Sequence, residues 1–309
     1  MRLRQSKEKA SLREGPKILD ADANRLPIAV VMITLNEAHN LEAALDNIQG
    51  WAEQVFIVDS YSSDRTVDIA LRRGVHVVQR AFLGFGDQWN FAVQKLPITS
   101  VWTMKLDPDE RLSDEVIVSI GNALEVEEAD AFTVTRRLWF MGRPLPICQS
   151  LIRIWRTGAC KFTDVLVNEH PVVDGKVEAL TGYLEHHDSP DLQHWYHKQN
   201  KYTSAEAITS YRGLELAAEP RIFGTSIERR MWLKKNFFRM PFRYSALFIY
   251  NYFIKGTWRV GRVGYIWSKL RVEVYRAREY KLFEMRSTGR EPQELSRGAG
   301  EPDLRVRQY

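Results

Sequence analysis

Cysteine is nearly absent: Cys148 and Cys160 are the two in 309 residues. Two thiols make no disulfide framework, and their spacing matches no zinc site, so both are expected reduced, as in a cytoplasmic protein. Long apolar runs are also missing. The basic start "MRLRQSKEKASLREGPK" has no apolar core after it, which excludes a secretory signal and leaves a mobile tail over 1–26 as the expectation. The most apolar stretch, "SALFIYNYFI", is ten residues, about half of what a bilayer-crossing helix needs. Acidic residues are scarce in one region. Between Arg221 and Arg290 there are seventeen Lys/Arg against four Asp/Glu, a net of +13, so the remainder carries −8 of the overall +5. An acidic body joined to a basic, aromatic-rich segment implies two tasks.

What is present is a foldable body. An apolar fraction of 44% with nine tryptophans excludes disorder. Short β-branched runs alternate with helical patterns through the first half. "IAVVMIT" (28–34), "QVFIVDS" (54–60), "VHVVQR" (75–80) and "VWTMKLD" (101–107) read as buried strands. "HNLEAALDNIQGW", "SDRTVDIALRRG" and "GDQWNFAVQKL" read as helices, the second capped by Ser63 or Asp64 and closed by Gly74. Strict alternation predicts an α/β protein with a parallel sheet.

Ligands of such sheets sit beyond the carboxyl ends of the strands. Thr34, Asn36 and Glu37 follow strand one, Asp59 and Ser60 strand two, and Asp107 and Asp109 strand four. Helix capping accounts for Ser63 and Asp64 but not for acids that directly end apolar strands. Asp107 precedes Pro108, which favours the extended geometry of a strand's last residue and stiffens the turn. Paired carboxylates there suit Mg²⁺ or Mn²⁺. The same spacing in Asp20-Ala21-Asp22 lies in a charged segment ahead of the first strand, where a solvated pair is expected.

These stretches together resemble a known family. "ITLNEAHNLEAAL", "VDSYSSDRTVDIA", "GFGDQWNFAV" and "LDPDER" are similar to the motifs of the family 2 glycosyltransferases with the GT-A fold, nearest to the lipopolysaccharide-core and exopolysaccharide branch. The resemblance is strong over 28–120 and weaker to about 207. It implies that Thr34, Asn36 and Glu37 lie beside the nucleotide, with Ser60 and Gln88 among the donor-binding residues. Asp59 would accept the uracil N–H. Asp107 would hold the ribose and share the metal with Asp109. "RIWRTGACKFTDVLVNEHPV" places Glu169 where the family has its general base, with Asn168 in place of a histidine. "LEHHDSPDLQHWYHKQNKYTSAEA" matches His186 to a histidine that completes the metal site. Four departures stand out: Tyr61 replaces a glycine, Pro108 an alanine, Trp89 a lysine near the phosphates, and "PLPICQSL" the usual acceptor segment.

The expectation is therefore a GT-A domain over 27–215, a basic, aromatic, helical membrane-surface segment over 216–290 and a flexible tail over 291–309. Its activity would be metal-dependent, inverting transfer of a hexose from a UDP-sugar to a lipid-linked saccharide or lipopolysaccharide acceptor. The protein would sit on anionic lipid at the cytoplasmic face of the inner membrane. The basic segment equally allows helices packed on the domain. Nucleic acid is not expected, because the rim of carboxylates repels phosphate backbones. The alternatives are a sugar-phosphate nucleotidyltransferase, which "LNEAHN" disfavours by lacking glycine and cations, and a non-catalytic nucleotide-sugar-binding protein.

Overall fold

A computed structural model describes residues 25–126, 128–163, 170–213 and 240–292, with isolated positions between 221 and 237. The N-terminal tail with its Asp20/Asp22 pair, most of the C-terminal tail, Asn168 and Glu169 lie outside the described residues.

The first half follows the alternation. β1 (Leu26–Thr34), α1 (Ala38–Ile48), β2 (Ala52–Asp59), α2 (Thr66–Arg72), β3 (His76–Gln79), α3 (Phe85–Lys95) and β4 (Trp102–Lys105) succeed one another. β3, β2, β1 and β4 lie side by side, all parallel. Ile28, Val30 and Met32 face one side of β1 and Ala29 and Val31 the other, and both sets are buried in separate clusters. That two-sided burial is why β1 reads as an uninterrupted apolar run.

The second half reverses direction. β5 (Glu110–Leu112) and α4 (Asp114–Val126) lead to β6 (Ala131–Phe140) and β7 (Arg143–Arg156). Met141 and Gly142, with φ of 49° and 70°, join β6 to β7 in a two-residue hairpin turn. β7 runs antiparallel to β4 and to β6, while β10 (Val177–His186) runs parallel to β6 and antiparallel to β5. The order β3-β2-β1-β4-β7-β6-β10-β5 is a mostly parallel, GT-A-like sheet, four of its seven ladders being parallel. β8 (Cys160–Phe162) and β9 (Pro171–Val173) form a small separate ladder.

Two expectations need correction. α2 begins after Arg65 with no side chain capping it from that position, because Asp64 works one residue earlier, accepting from the Thr66 N–H at 2.9 Å. β4 ends at Lys105, so Asp107 stands two residues past the strand.

The long described helix of the basic segment, 262–288, packs on the domain. α5 (Leu192–Tyr211), α6 (Arg243–Ile249) and α7 (Arg262–Thr288) follow the sheet. Trp267 and Leu270 of α7 close over Phe140 and Leu145 of the hairpin and Trp195 of α5. Leu282 and Met285 meet Ala207 and Ile208 further along α5. Arg278 pairs with Glu206 at 2.9 Å, and Lys281 Nζ donates to Thr203 and Ser204. Among the described residues no helix is long and apolar enough to cross a membrane. Cys148 and Cys160 are both free thiols.

Candidate active site

The loop after β1 and the loop after β2 are sewn together. Asn36 takes a left-handed φ of 56°, a conformation asparagine tolerates. This aims its Oδ1 at the Ser63 N–H (2.8 Å), while its own N–H donates to Ser62 Oγ (2.8 Å). Glu37 N–H donates to Thr66 Oγ1 at 2.8 Å, and its carboxylate accepts from Asn40 at 2.9 Å. Burial pushes the Glu37 carboxyl up to about 7, against the Asn40 donor and with the nearby Asp109 charge adding to the rise.

Asp59 is wholly buried and has four donors of its own: Thr34 Oγ1 (2.8 Å), Ser62 N–H (2.9 Å), Ser62 Oγ and Gln79 Nε2 (3.0 Å). A carboxylate offers about four acceptor positions. Asp59, expected to accept the uracil N–H, thus accepts from four protein donors that tie the rim together. Ser60 and Gln88 are also buried; Gln88 Nε2 donates to Ser60 Oγ at 3.3 Å, and its Oε1 accepts from Arg80 at 3.0 Å. Trp89 does not leave a gap at the rim. It is completely buried, stacks on Phe162, and has Lys105 Nζ 4.4 Å above its ring.

The two acids of the LDPDER turn part company. Asp107 Oδ2 accepts from Arg153 at 3.1 Å, and the same guanidinium bonds Glu110, which is fully buried. Burial would raise the Asp107 carboxyl, but Arg153, then Lys105 and Arg136, hold it well below the usual carboxylate range. Asp109 turns the other way. Its Oδ2 lies 3.2 Å from His186 Nε2 and 3.8 Å from Lys198 Nζ. The ladder explains the meeting: His186 stands opposite Glu110 across β10 and β5, and the His187 N–H donates to the Asp109 carbonyl at 2.8 Å.

A third group joins them. Asp188 Oδ1 lies 3.8 Å from His186 Nε2 and 3.0 Å from Lys198 Nζ, and ligand atoms of Asp109, His186 and Asp188 all fall within 4.8 Å of one another. Burial would lower the His186 pKa, yet the Asp109 charge and contact leave it raised. Lys198 is likewise held above the usual lysine range, burial being outweighed by Asp188 and Asp109. Two carboxylates with one imidazole fit a divalent cation, the nitrogen favouring Mn²⁺ over Mg²⁺, which prefers oxygen throughout. Of the expected ligands Asp107, Asp109 and His186, the last two converge with Asp188, while Asp107 accepts from Arg153. Asp188 was missed, although its place two residues after His186 puts both on one side of an extended chain.

With this geometry in view, comparison with known proteins is informative. Residues 29–169 match the model of glycosyl transferase family 2. An uncharacterised glycosyltransferase of Rickettsia prowazekii (strain Madrid E) is 25% identical over 199 residues, covering 58% of this chain and 66% of that protein. The lipopolysaccharide core biosynthesis glycosyltransferase LpsC of Rhizobium meliloti (strain 1021) is 26% identical over 254 residues, covering 78% of this chain and 86% of that one. Among solved structures, the mannosyltransferase PcManGT of Pyrobaculum calidifontis, in complex with GDP-mannose and Mn²⁺, aligns with a TM-score of 0.48 at 14% identity, covering 88% of this chain and 91% of that chain. Over residues 29–169 the chain is thus similar to the family 2 glycosyltransferases.

Proposed function

We propose that the protein is a metal-dependent, inverting glycosyltransferase that moves a hexose from a UDP-sugar onto a lipid-linked saccharide, as in lipopolysaccharide core or exopolysaccharide synthesis. One observation carries the reading: Asp109, His186 and Asp188 converge within 4.8 Å beside the loop of Asn36 and Glu37. A divalent ion held by these three would neutralise charge on the departing nucleoside diphosphate, the main electrostatic need of the transfer. Asp107, kept ionised by Arg153, would accept from sugar hydroxyls. The stitched loops of Thr34, Asn36 and Ser60 hold the rim rigid, so little ordering is left for binding. Lys198 supplies a fixed positive charge near the same carboxylates. Glu169, by the family resemblance, removes the acceptor proton as the hydroxyl oxygen attacks the anomeric carbon in a single displacement.

The lipid-linked acceptor draws on the similarity to LpsC, whose name assigns it to lipopolysaccharide core biosynthesis. The division into a domain over 27–215 and a membrane-facing segment over 216–290, placed at the cytoplasmic face of the inner membrane, belongs to the same reading.

A thermal-shift screen of nucleotide sugars with and without Mn²⁺ tests it. A ligand that binds only the folded chain raises the melting temperature by mass action. A UDP-hexose should raise it, and more so with Mn²⁺; UDP release should then follow addition of a saccharide acceptor. No stabilisation by any nucleotide sugar in either condition would rule the proposal out.

A further inference from the structure

The cations of the C-terminal segment are not equivalent. No Asp or Glu occurs from 229 to 272, a stretch holding eleven Lys/Arg. Within that stretch Arg243 pairs with Glu279, and beyond it Arg276 pairs with Glu273 and Arg278 with Glu206. By contrast, Arg259, between α6 and α7, and Arg262, the first residue of α7, have no carboxylate partner among the described residues. Neither has Arg143 at the tip of the β6–β7 hairpin. These three arginines come together from two distant parts of the chain to line one surface hollow of about 480 Å³, floored by Pro144 and Val260–Val263. Like charges gather there without compensation, which costs free energy unless an anion is supplied from outside.

The backbone around the hollow is rigid. Thr257 is fully buried and donates to the Asn251 carbonyl (3.0 Å), with its hydroxyl also 2.8 Å from Ser268 Oγ of α7. Gly264 lets the first turn of α7 press against the Thr257 carbonyl, where a Cβ would fall 1.8 Å from the oxygen. The 3-10 turn Thr257–Val260 is thus clamped to the helix, and Arg259 is held out to solvent rather than on a floppy loop. Beside it the π-helical turn Tyr250–Ile254 exposes Phe253 (57%) and Ile254 (72%), and Trp258 is half exposed. Lys255 lies over Tyr250, and Arg259 over Trp258. Large apolar side chains left in water next to aromatic-flanked cations match the chemistry of a bilayer's interfacial layer, where rings sit among headgroups and guanidinium groups reach phosphates.

We propose that this face is the membrane-docking surface: the hollow of Arg143, Arg259 and Arg262 receives the phosphate of an anionic phospholipid, while Phe253, Ile254 and Trp258 enter the headgroup layer. The inference rests on the lipid-linked acceptor reading only for its choice of partner, and it narrows the contact from the whole 216–290 segment to the hairpin tip and the 250–263 turn. α7 beyond its first turns is committed to α5 and is not part of the contact.

Co-sedimentation of the full chain with vesicles tests it. Wild type should bind vesicles of phosphatidylcholine and phosphatidylglycerol and bind phosphatidylcholine alone much less. The Arg143→Ala/Arg259→Ala/Arg262→Ala triple variant should lose about fivefold in affinity per cation, on the order of 100-fold in all. A matched triple of distant surface cations, Arg72→Ala/Lys95→Ala/Lys176→Ala, should lose far less. Phe253→Ser should weaken binding to both kinds of vesicle. Equal losses in the two triples would reduce the effect to net charge and overturn the proposal, as would absence of vesicle binding by wild type or binding of RNA in place of vesicles. Retained far-UV circular dichroism and melting temperature establish that the triple variant folds. Displacement of the protein by soluble glycerol phosphate as readily as by vesicles would show a free-phosphate site and would also overturn it. UDP release with a soluble saccharide acceptor should be unchanged in the arginine triple variant. Failure of transfer in every protein would therefore strike the activity and leave the docking result standing.

Discussion

The two sides of a single turn make the most instructive contrast in this molecule. Asp107 and Asp109 are two positions apart, and both end in clusters of acids and bases. On one side, Arg153 sits between Asp107 and the buried Glu110, and Arg136 lies 3.6 Å from Glu110, so two cations of the protein face two acids. On the other, Asp109 and Asp188 face one histidine and a single lysine, Lys198, 3.0 Å from Asp188 and 3.8 Å from Asp109. The first arrangement is a structural knot, since removing either sign strands a buried charge. The second gathers carboxylates without fully neutralising them, as a cation site requires. Identical residue types two positions apart thus acquire opposite roles from their neighbours across the sheet.

The largest expected effect would break the first side. Arg153→Met leaves Glu110 and Asp107 without their counter-ion and should destabilise the fold by about 3–5 kcal/mol, read by urea unfolding. The sign with pH follows from the depressed Asp107 pKa. Its contribution is complete above the ordinary aspartate value of 3.8 and is lost as pH falls towards the lower folded value, so the deficit of the variant should shrink in acid. A variant as stable as wild type at neutral pH would refute the knot.

Asp109→Asn breaks the second side. It should cost on the order of 1,000-fold in turnover while leaving the metal-free melting temperature within a few degrees, because a metal's electrostatic contribution is several kcal/mol and is absent from the apo fold. The same substitution should abolish the Mn²⁺-dependent part of the thermal shift. If the shift survives in Asp109→Asn and vanishes in Asp107→Asn, the assignment of the two sides is reversed.

Gly264→Ala sharpens the contrast from a distance. Its methyl would meet the Thr257 carbonyl at 1.8 Å, so about 1–3 kcal/mol of stability should be lost by overpacking. The Mn²⁺ shift should persist, as neither side of the turn touches α7's first residues. The smallest effect concerns Glu37. Its carboxyl is raised from 4.5 to about 7, so ionising it in the fold is unfavourable, and the favourable protonated state is lost as pH rises through about 7. Glu37→Gln should therefore gain stability relative to wild type as pH is raised from below 4.5 to above 7, measured by melting without added metal. A constant difference across that range would show that burial does not govern this carboxyl.

Much of the N-terminal half was legible in the chain. β1 and β2 are buried on both faces, which demands continuous β-branched runs, and the helices between them need apolar spacing, so both leave patterns readable residue by residue. The rim residues were legible because parallel strands place their carboxyl ends together whatever the side chains. Partner choice was not. Nothing in "LDPDER" shows that Arg153, forty-six residues further on, lies across β4 and claims Asp107 rather than Asp109. Asp188 carried a signal in its place two residues after His186, but the meeting of that pair with Asp109 depends on the β10–β5 register. The departure at Trp89 looked like a lost cation but is a core residue stacked on Phe162.

The C-terminal half shows the opposite balance. Its charge and aromatic content were plain, and from composition alone a surface helix and a packed helix look alike. Burial against α5 and the hairpin separated them, assigning Trp267 and Leu282 to the interior and leaving Phe253 and Ile254 outside. Local periodicity and chain direction, which depend on near neighbours, were determined by the sequence on its own. The pairing of acids with cations, and the split between core and exposed aromatics, were decided by the tertiary structure, because an electrostatic or apolar contact depends on distance in space and the chain does not display that distance along its length.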